Sequence, residues 1–114
     1  MKLVEQRCTH GAPKLEEAEL ASLLEQLPAW QLCATPTGNR IERNYEFRDY
    51  HETIAFVNAL AWMVHAQDHH PDLVVRYRHC QVGYTTHSAG HAVSLNDVIC
   101  AAKADAIYEE RTQA

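Results

Sequence analysis

The chain has 114 residues, 46% of them hydrophobic, enough for one ordinary domain with a real core spanning residues 1-114. Ten Lys+Arg stand against 15 Asp+Glu, a formal net charge of -5 with no basic patch, so a nucleic-acid partner is not expected. No stretch approaches the ~20 apolar residues that span a bilayer, and the opening Met1-Lys2-Leu3-Val4-Glu5-Gln6-Arg7 lacks the apolar run of a signal peptide, which points to a cytoplasmic protein without a membrane anchor.

Residues 1-12 show no periodicity and read as a loose lead-in. From Pro13 to Leu27 the spacing of Leu20, Leu23, Leu24 and Leu27 predicts a helix with Glu16, Glu17 and Glu19 near its start, and Pro28 stops it. Trp30 to Ala34 reads as a short strand and Thr35-Pro36-Thr37-Gly38-Asn39 as a turn. Arg40 to Phe47 alternates, with Ile41, Arg43, Tyr45 and Phe47 on one side, and pairs back on the Trp30 strand as a hairpin. Arg43 is the misfit on the apolar side. Its stem is read as packing inward while its head reaches water, with a carboxylate partner as the alternative.

Asp49 caps a long helix expected to run to about Gln67. At ~100° per residue, Ile54, Phe56, Val57, Leu60, Ala61, Met63 and Val64 fall on one broad apolar arc, and Asn58, Trp62, His65 and a continuing His69 form a second stripe. Pro71 is expected to end this helix. Asp72 to Tyr77 then reads as a strand, Arg78-His79-Cys80 as a turn and Gln81 to Thr86 as the return strand. Ser94 looks like the N-cap of a last helix, with Asp97 placed to complete a capping box, and that helix is expected to fray after Tyr108. The four cysteines, Cys8, Cys33, Cys80 and Cys100, are scattered without a C-x-x-C pair and read as free thiols.

The chemistry-bearing pattern is His69-His70-Pro71 followed by Tyr77, His87 and Asp97. Histidine exchanges its proton near neutral pH, so three imidazoles at one place suit acid–base work on a small molecule. The hairpin brings the end of the long helix and the exit of the last strand to one sheet edge, where His69, His70 and His87 meet. Asp97 has two candidate roles there, capping its helix or orienting an imidazole through its N–H. Tyr77 also suits the core, and Asp68 and Asp72 suit solvated charges. A metal is the rival reading, because His65 and His69, and His87 and His91, are each four apart. The fuller H-E-x-x-H pattern is absent, so no metal ligand is assigned.

The segment from His65 to Asp97 resembles the pterin-4a-carbinolamine dehydratase family. That family's signature runs from a charged residue through three intervening positions to His-His-Pro, then a short gap, an aromatic residue, nine positions, a histidine, a variable loop and an aspartate. Here these are His65, His69-His70-Pro71, Tyr77, His87 and Asp97. The similarity extends through Leu27, Trp30, Arg43, Tyr45 and Phe47 and covers residues 15 to 107, looking closest to the bacterial branch in Asn96-Asp97-Val98-Ile99-Cys100. It departs at His65, where glutamate is common, and in the loop Gly90-His91-Ala92-Val93.

The resemblance implies an α+β fold, a four-stranded antiparallel sheet with three helices packed on one face, in a homodimer or homotetramer. It implies dehydration of 4a-hydroxytetrahydropterin to quinonoid dihydropterin, in step with an aromatic amino acid hydroxylase, with the pterin as substrate and no cofactor. It assigns catalysis to His69, His70 and His87, support to Asp97 and His65, and substrate contacts to Pro71, Tyr77, Thr86, Ser88 and Ala89. A dimerisation module or another non-catalytic protein of the same fold is the alternative.

Overall fold

The computed structural model describes residues 1–111. Helix α1 (Glu17–Leu24) leads to strands β1 (Gln31–Ala34) and β2 (Asn39–Glu46), then the long helix α2 (Tyr50–Gln67), strands β3 (Asp72–Val75) and β4 (His79–Tyr84), and helix α3 (Leu95–Glu110). The fold is α+β: the strands form one antiparallel sheet in the order β1-β2-β4-β3, with the helices packed on one face. β2 and β4 are central, and their register pairs Ile41 with Tyr84 and Tyr45 with Cys80. Period-2 alternation therefore turns Ile41, Tyr45, Cys80, Val82 and Tyr84 into the core.

Helix α2 starts where the Asp49 carboxylate accepts the Glu52 N–H at 2.8 Å. It buries Thr53, Phe56, Leu60 and Val64, a stripe at helical spacing. The broader arc expected from the sequence is narrower in the fold: Ile54, Val57 and Met63 are half-buried and Ala61 is exposed. α3 covers the sheet with Val98, Ile99, Cys100, Ala101 and Ala104, whose small members allow close approach. It continues past Tyr108 to Glu110, and any fraying beyond Arg111 lies outside the described residues.

Three expectations are corrected here. The first helix begins later than Pro13, because the preceding backbone is engaged elsewhere: the Leu15 N–H donates to the Val93 carbonyl at 2.9 Å, and Lys14 bridges Ser94. Residues 1-12 are not loose. Leu3 is 1% exposed within the core, and its N–H donates to Gln26 Oε1 at 3.3 Å. Farther along, the Cys8 N–H donates to Gln67 Oε1 and the Thr9 N–H to Asn96 Oδ1. Arg43 does not snorkel. Its Nη1 lies 2.7 Å from Asp105 Oδ1, an oxygen that also accepts the Tyr45 hydroxyl and the Trp30 indole N–H. The guanidinium lies over the Tyr45 ring at 4.3 Å, so a charged pair on α3 and β2 replaces contact with water.

Candidate active site

The site forms where α2 gives way to β3. Asp68 adopts the left-handed conformation (φ 52, ψ 43), and its N–H returns to the His65 carbonyl at 3.2 Å. A short carboxylate side chain tolerates this region better than most residues. The helix therefore ends at Gln67, where the sequence placed its end, and the left-handed turn at Asp68 stops it before Pro71 is reached. This stop decides the site. Had the helix run on, His69 would share the outer stripe of Asn58, Trp62 and His65. Those three are exposed, Trp62 at 78%, while His69 swings inward instead.

The His69 ring stacks on Tyr84 (centroids 5.3 Å apart, planes 13° apart), and its Nε2 donates to Asp97 Oδ1 at 2.6 Å. Asp97 is 0% exposed. Its second oxygen accepts the Ser94 N–H at 2.8 Å and the Thr86 hydroxyl at 2.7 Å. The Thr86 hydroxyl has given its one hydrogen to Asp97, so it accepts from the Ser94 hydroxyl, 2.7 Å away. The Ser94 oxygen in turn accepts the Asn96 N–H. Asp97 thus fills both roles left open by the sequence: one oxygen closes the capping box of α3 and the other orients an imidazole. The carboxylate accepts only, so Nε2 carries a hydrogen; a neutral ring would keep its lone pair on Nδ1, and a protonated ring would present a second N–H there. Burial disfavours the imidazolium, but the hydrogen bond to Asp97 and its charge, aided by Cys8 and Asp68, outweigh it and hold the His69 pKa above the ordinary histidine value.

Next to this pair lies a cleft of about 440 Å³ lined by Asp68, His69, His70, Pro71 and Asp72 on one side and by Thr85, Thr86, His87 and Ser88 on the other. Its volume suits a small bicyclic ligand. The three histidines expected to converge all open onto it, as do Pro71, Thr86 and Ser88. His70 and His87 are exposed, and His87 begins a 3-10 turn (His87–Ala89) closed by Gly90 in the left-handed region at φ 76. The His91 ring meets the His87 ring edge-on at 4.8 Å.

Other expected residues are not brought to this cleft within the chain. Tyr77 is 64% exposed in the β3–β4 turn at the far end of the hairpin, stacked on Tyr50 at 6.2 Å. His65 remains on the outer face of α2. Ala89 lines a separate groove with Lys14, Thr37 and Gly90. Thr86 borders the cleft, but its hydroxyl is engaged with Asp97 and Ser94 rather than free for a ligand. Sequence reasoning missed Tyr84, the stacking platform for His69. Its place two residues before Thr86, on the alternating face of Cys80 and Val82, was the available signal. Among the described residues, no group of three or more His, Cys, Asp or Glu side chains is placed to hold a metal ion.

Residues 13–107 match the family described as pterin 4 alpha carbinolamine dehydratase. A protein of Nitrosomonas eutropha, provisionally named pterin-4-alpha-carbinolamine dehydratase, is 50% identical over 99 residues, 86% of this chain and 83% of that one. A Xanthomonas campestris protein with the same provisional name is 52% identical over 97 residues, 85% of this chain and 80% of its own. Among solved structures, a transcriptional coactivator/pterin dehydratase from Brucella melitensis superimposes with a TM-score of 0.74 at 30% identity, covering 82% of this chain and 97% of that one. A pterin dehydratase-like RuBisCO assembly factor shares the fold, with a TM-score of 0.58 at 21% identity over 70% of this chain and 89% of its own. The chain belongs to the pterin-4a-carbinolamine dehydratase family.

Proposed function

We propose that this protein is a lyase that dehydrates 4a-hydroxytetrahydropterin to quinonoid dihydropterin and water. The reaction removes the 4a-hydroxyl and the N5 hydrogen, so it needs an acid for the leaving oxygen and a base for N5. Imidazoles serve both ends near neutral pH. One observation carries the reading: a buried carboxylate holds His69 by a 2.6 Å bond at the wall of a cleft that His70 and His87 share.

In this reading, His70 and His87 flank the reacting carbon, and His69 binds the 4a-oxygen and polarises it. The Asp97 carboxylate favours the imidazolium form of His69, the form that can donate a hydrogen to that oxygen. Asp97 fixes the ring's orientation, and Ser94 and Thr86 fix Asp97. Pro71 and Ser88 border the pterin, while Tyr77, His65 and Ala89 lie outside the cleft. The protein acts in the cytoplasm, in step with an aromatic amino acid hydroxylase that releases the carbinolamine, and as a homodimer or homotetramer. The exposed Leu73, Val74 and Val75 on edge strand β3 support self-association.

The test is direct conversion of synthetic 4a-hydroxytetrahydropterin, followed by the absorbance of the quinonoid product. The purified protein accelerates the loss of water well beyond the buffer rate. A protein that binds pterin yet leaves that rate unchanged is a binding module of this fold, and the proposal fails.

A further inference from the structure

Two cysteines stand beside the histidine site without a part in its proton transfers. Cys8 belongs to the N-terminal segment, ahead of the residues 13–107 that match the family. Cys100 is buried in α3, one turn beyond Asp97. Their sulfurs are 3.4 Å apart although 92 positions separate them in sequence.

The surroundings hold the pair in register. The Cys8 N–H donates to Gln67 Oε1 at 2.9 Å, at the end of α2, and its thiol reaches the Asn96 carbonyl at 3.6 Å. The Thr9 N–H donates to Asn96 Oδ1 at 3.0 Å, and Asn96 Nδ2 returns a bond to the Thr9 carbonyl at 2.8 Å. These hydrogen bonds hold the stretch between the buried Leu3 and Ala12. Cys8 lies outside any helix or strand, so no helix or sheet ladder has to break for the sulfurs to close from 3.4 Å to the ~2.05 Å of a disulfide. Cys8 is half-buried and lines a cavity of about 380 Å³ that shares His69 with the histidine cleft, so a small oxidant has a route to it.

The other thiols are poorer targets. Cys33 donates to Glu42 Oε1 at 3.0 Å, which holds its thiol above the usual pKa. Burial pushes Cys80 up to about 11. Cys8 moves the other way: the Cys100 S–H stabilises its thiolate, and His69 and Lys103 assist against the cost of burial and the Asp97 charge.

We propose that Cys8 and Cys100 form a peroxide-sensitive dithiol whose closure to a disulfide clamps the N-terminal segment onto α3 at the edge of the histidine site. The Cys8 thiolate attacks the outer oxygen of a hydroperoxide, the O–O bond breaks, and the alkoxide or hydroxide leaves with a proton. Cys8 is then a sulfenic acid. The Cys100 sulfur attacks it, the S–O bond breaks, and water departs with the Cys100 proton. With hydrogen peroxide the balance is two thiols plus one peroxide giving one disulfide and two waters, sulfur oxidised and oxygen reduced. This assignment is independent of the reaction at the histidines.

The experiment treats the reduced full chain with hydrogen peroxide at neutral pH, alkylates the remaining thiols and maps the peptides. The expected product has lost the mass of two hydrogens, carries a Cys8–Cys100 linked peptide, keeps Cys33 and Cys80 alkylatable and reverts with a thiol reductant. Cys100→Ala stalls at a Cys8 sulfenic acid trapped by a dione reagent. If that variant does not fold, Cys8→Ser supplies the control by leaving Cys100 unoxidised. On oxidation, amide exchange at Cys8 and Thr9 slows. Oxidation of Cys33 before Cys8, overoxidation of Cys8 without a link, or a link that leaves those amides exchanging as before overturns the proposal.

Discussion

Asp97→Asn is the most telling perturbation, because it nearly preserves shape while removing the charge. The carboxylate is fully buried and accepts three bonds, from His69 at 2.6 Å, Thr86 at 2.7 Å and Ser94 at 2.8 Å. An amide has one carbonyl oxygen. If that oxygen keeps the Ser94 and Thr86 hydrogens and thus the cap of α3, the NH₂ group faces His69 Nε2–H, donor against donor. The ring must then move its hydrogen to Nδ1 or turn away. Both outcomes spoil its presentation to a ligand, and a comparable wrong-tautomer substitution in a catalytic triad costs ~10⁴-fold. Here His69 is one of three imidazoles rather than the sole base, so the expected loss in kcat is ~10²–10⁴-fold. Stability falls by ~1.5–3 kcal/mol for the lost charge-assisted bond.

The carbinolamine assay and a urea titration measure these two effects, and the pH dependence separates them from simple damage to the helix cap. In the wild-type protein, the His69 pKa lies above its ordinary value of 6.5. The charged pair therefore stabilises the fold fully below the unfolded pKa, and that stabilisation is lost as pH rises through the folded pKa. In Asp97→Asn this slope disappears and the His69 pKa drops. A variant that keeps both wild-type kcat and the wild-type slope shows that Asp97 is only a cap.

His70→Ala and His87→Ala, both at exposed positions, should each lower kcat/KM by ~10²–10⁴-fold with unchanged thermal unfolding; full activity in both removes them from the chemistry. Leu3→Ala should cost ~2–5 kcal/mol in denaturant unfolding, since Leu3 is a core residue, and a cost near zero would restore the loose lead-in. A double-mutant cycle on Arg43 and Asp105 should give a coupling of ~1–3 kcal/mol, because the 2.7 Å pair is largely shielded from water; no coupling would mean the guanidinium acts only through its stem.

What the sequence revealed and what it hid follow from how local each determinant is. The Asp49 cap and the Phe56, Leu60 and Val64 positions of the apolar arc are written within one helix, so α2 was legible, although the buried Thr53 was not part of that arc. Ser94 and Asp97 are three apart, so the capping box was legible too. Orienting an imidazole was the other role the sequence offered Asp97, but the turn at Asp68 that brings His69 to it was not legible, because a left-handed cap at a non-glycine residue leaves little trace in periodicity. The N-terminal segment is held by one buried leucine and by polar bonds from Gln26, Gln67 and Asn96, long-range partners that no local pattern announces. Arg43 was misread for the same reason, since its carboxylate lies 62 positions away. Tyr77 fits the family spacing, yet in the folded hairpin that spacing carries it to the opposite end of β3 from His70.

The most direct measurement is a structure of the protein with a bound dihydropterin. The bridgehead carbon is expected between the His70 and His87 rings, with His69, still bonded to Asp97, nearest the side from which the hydroxyl leaves. A pterin seated elsewhere, or one that reaches none of these imidazoles, contradicts that placement.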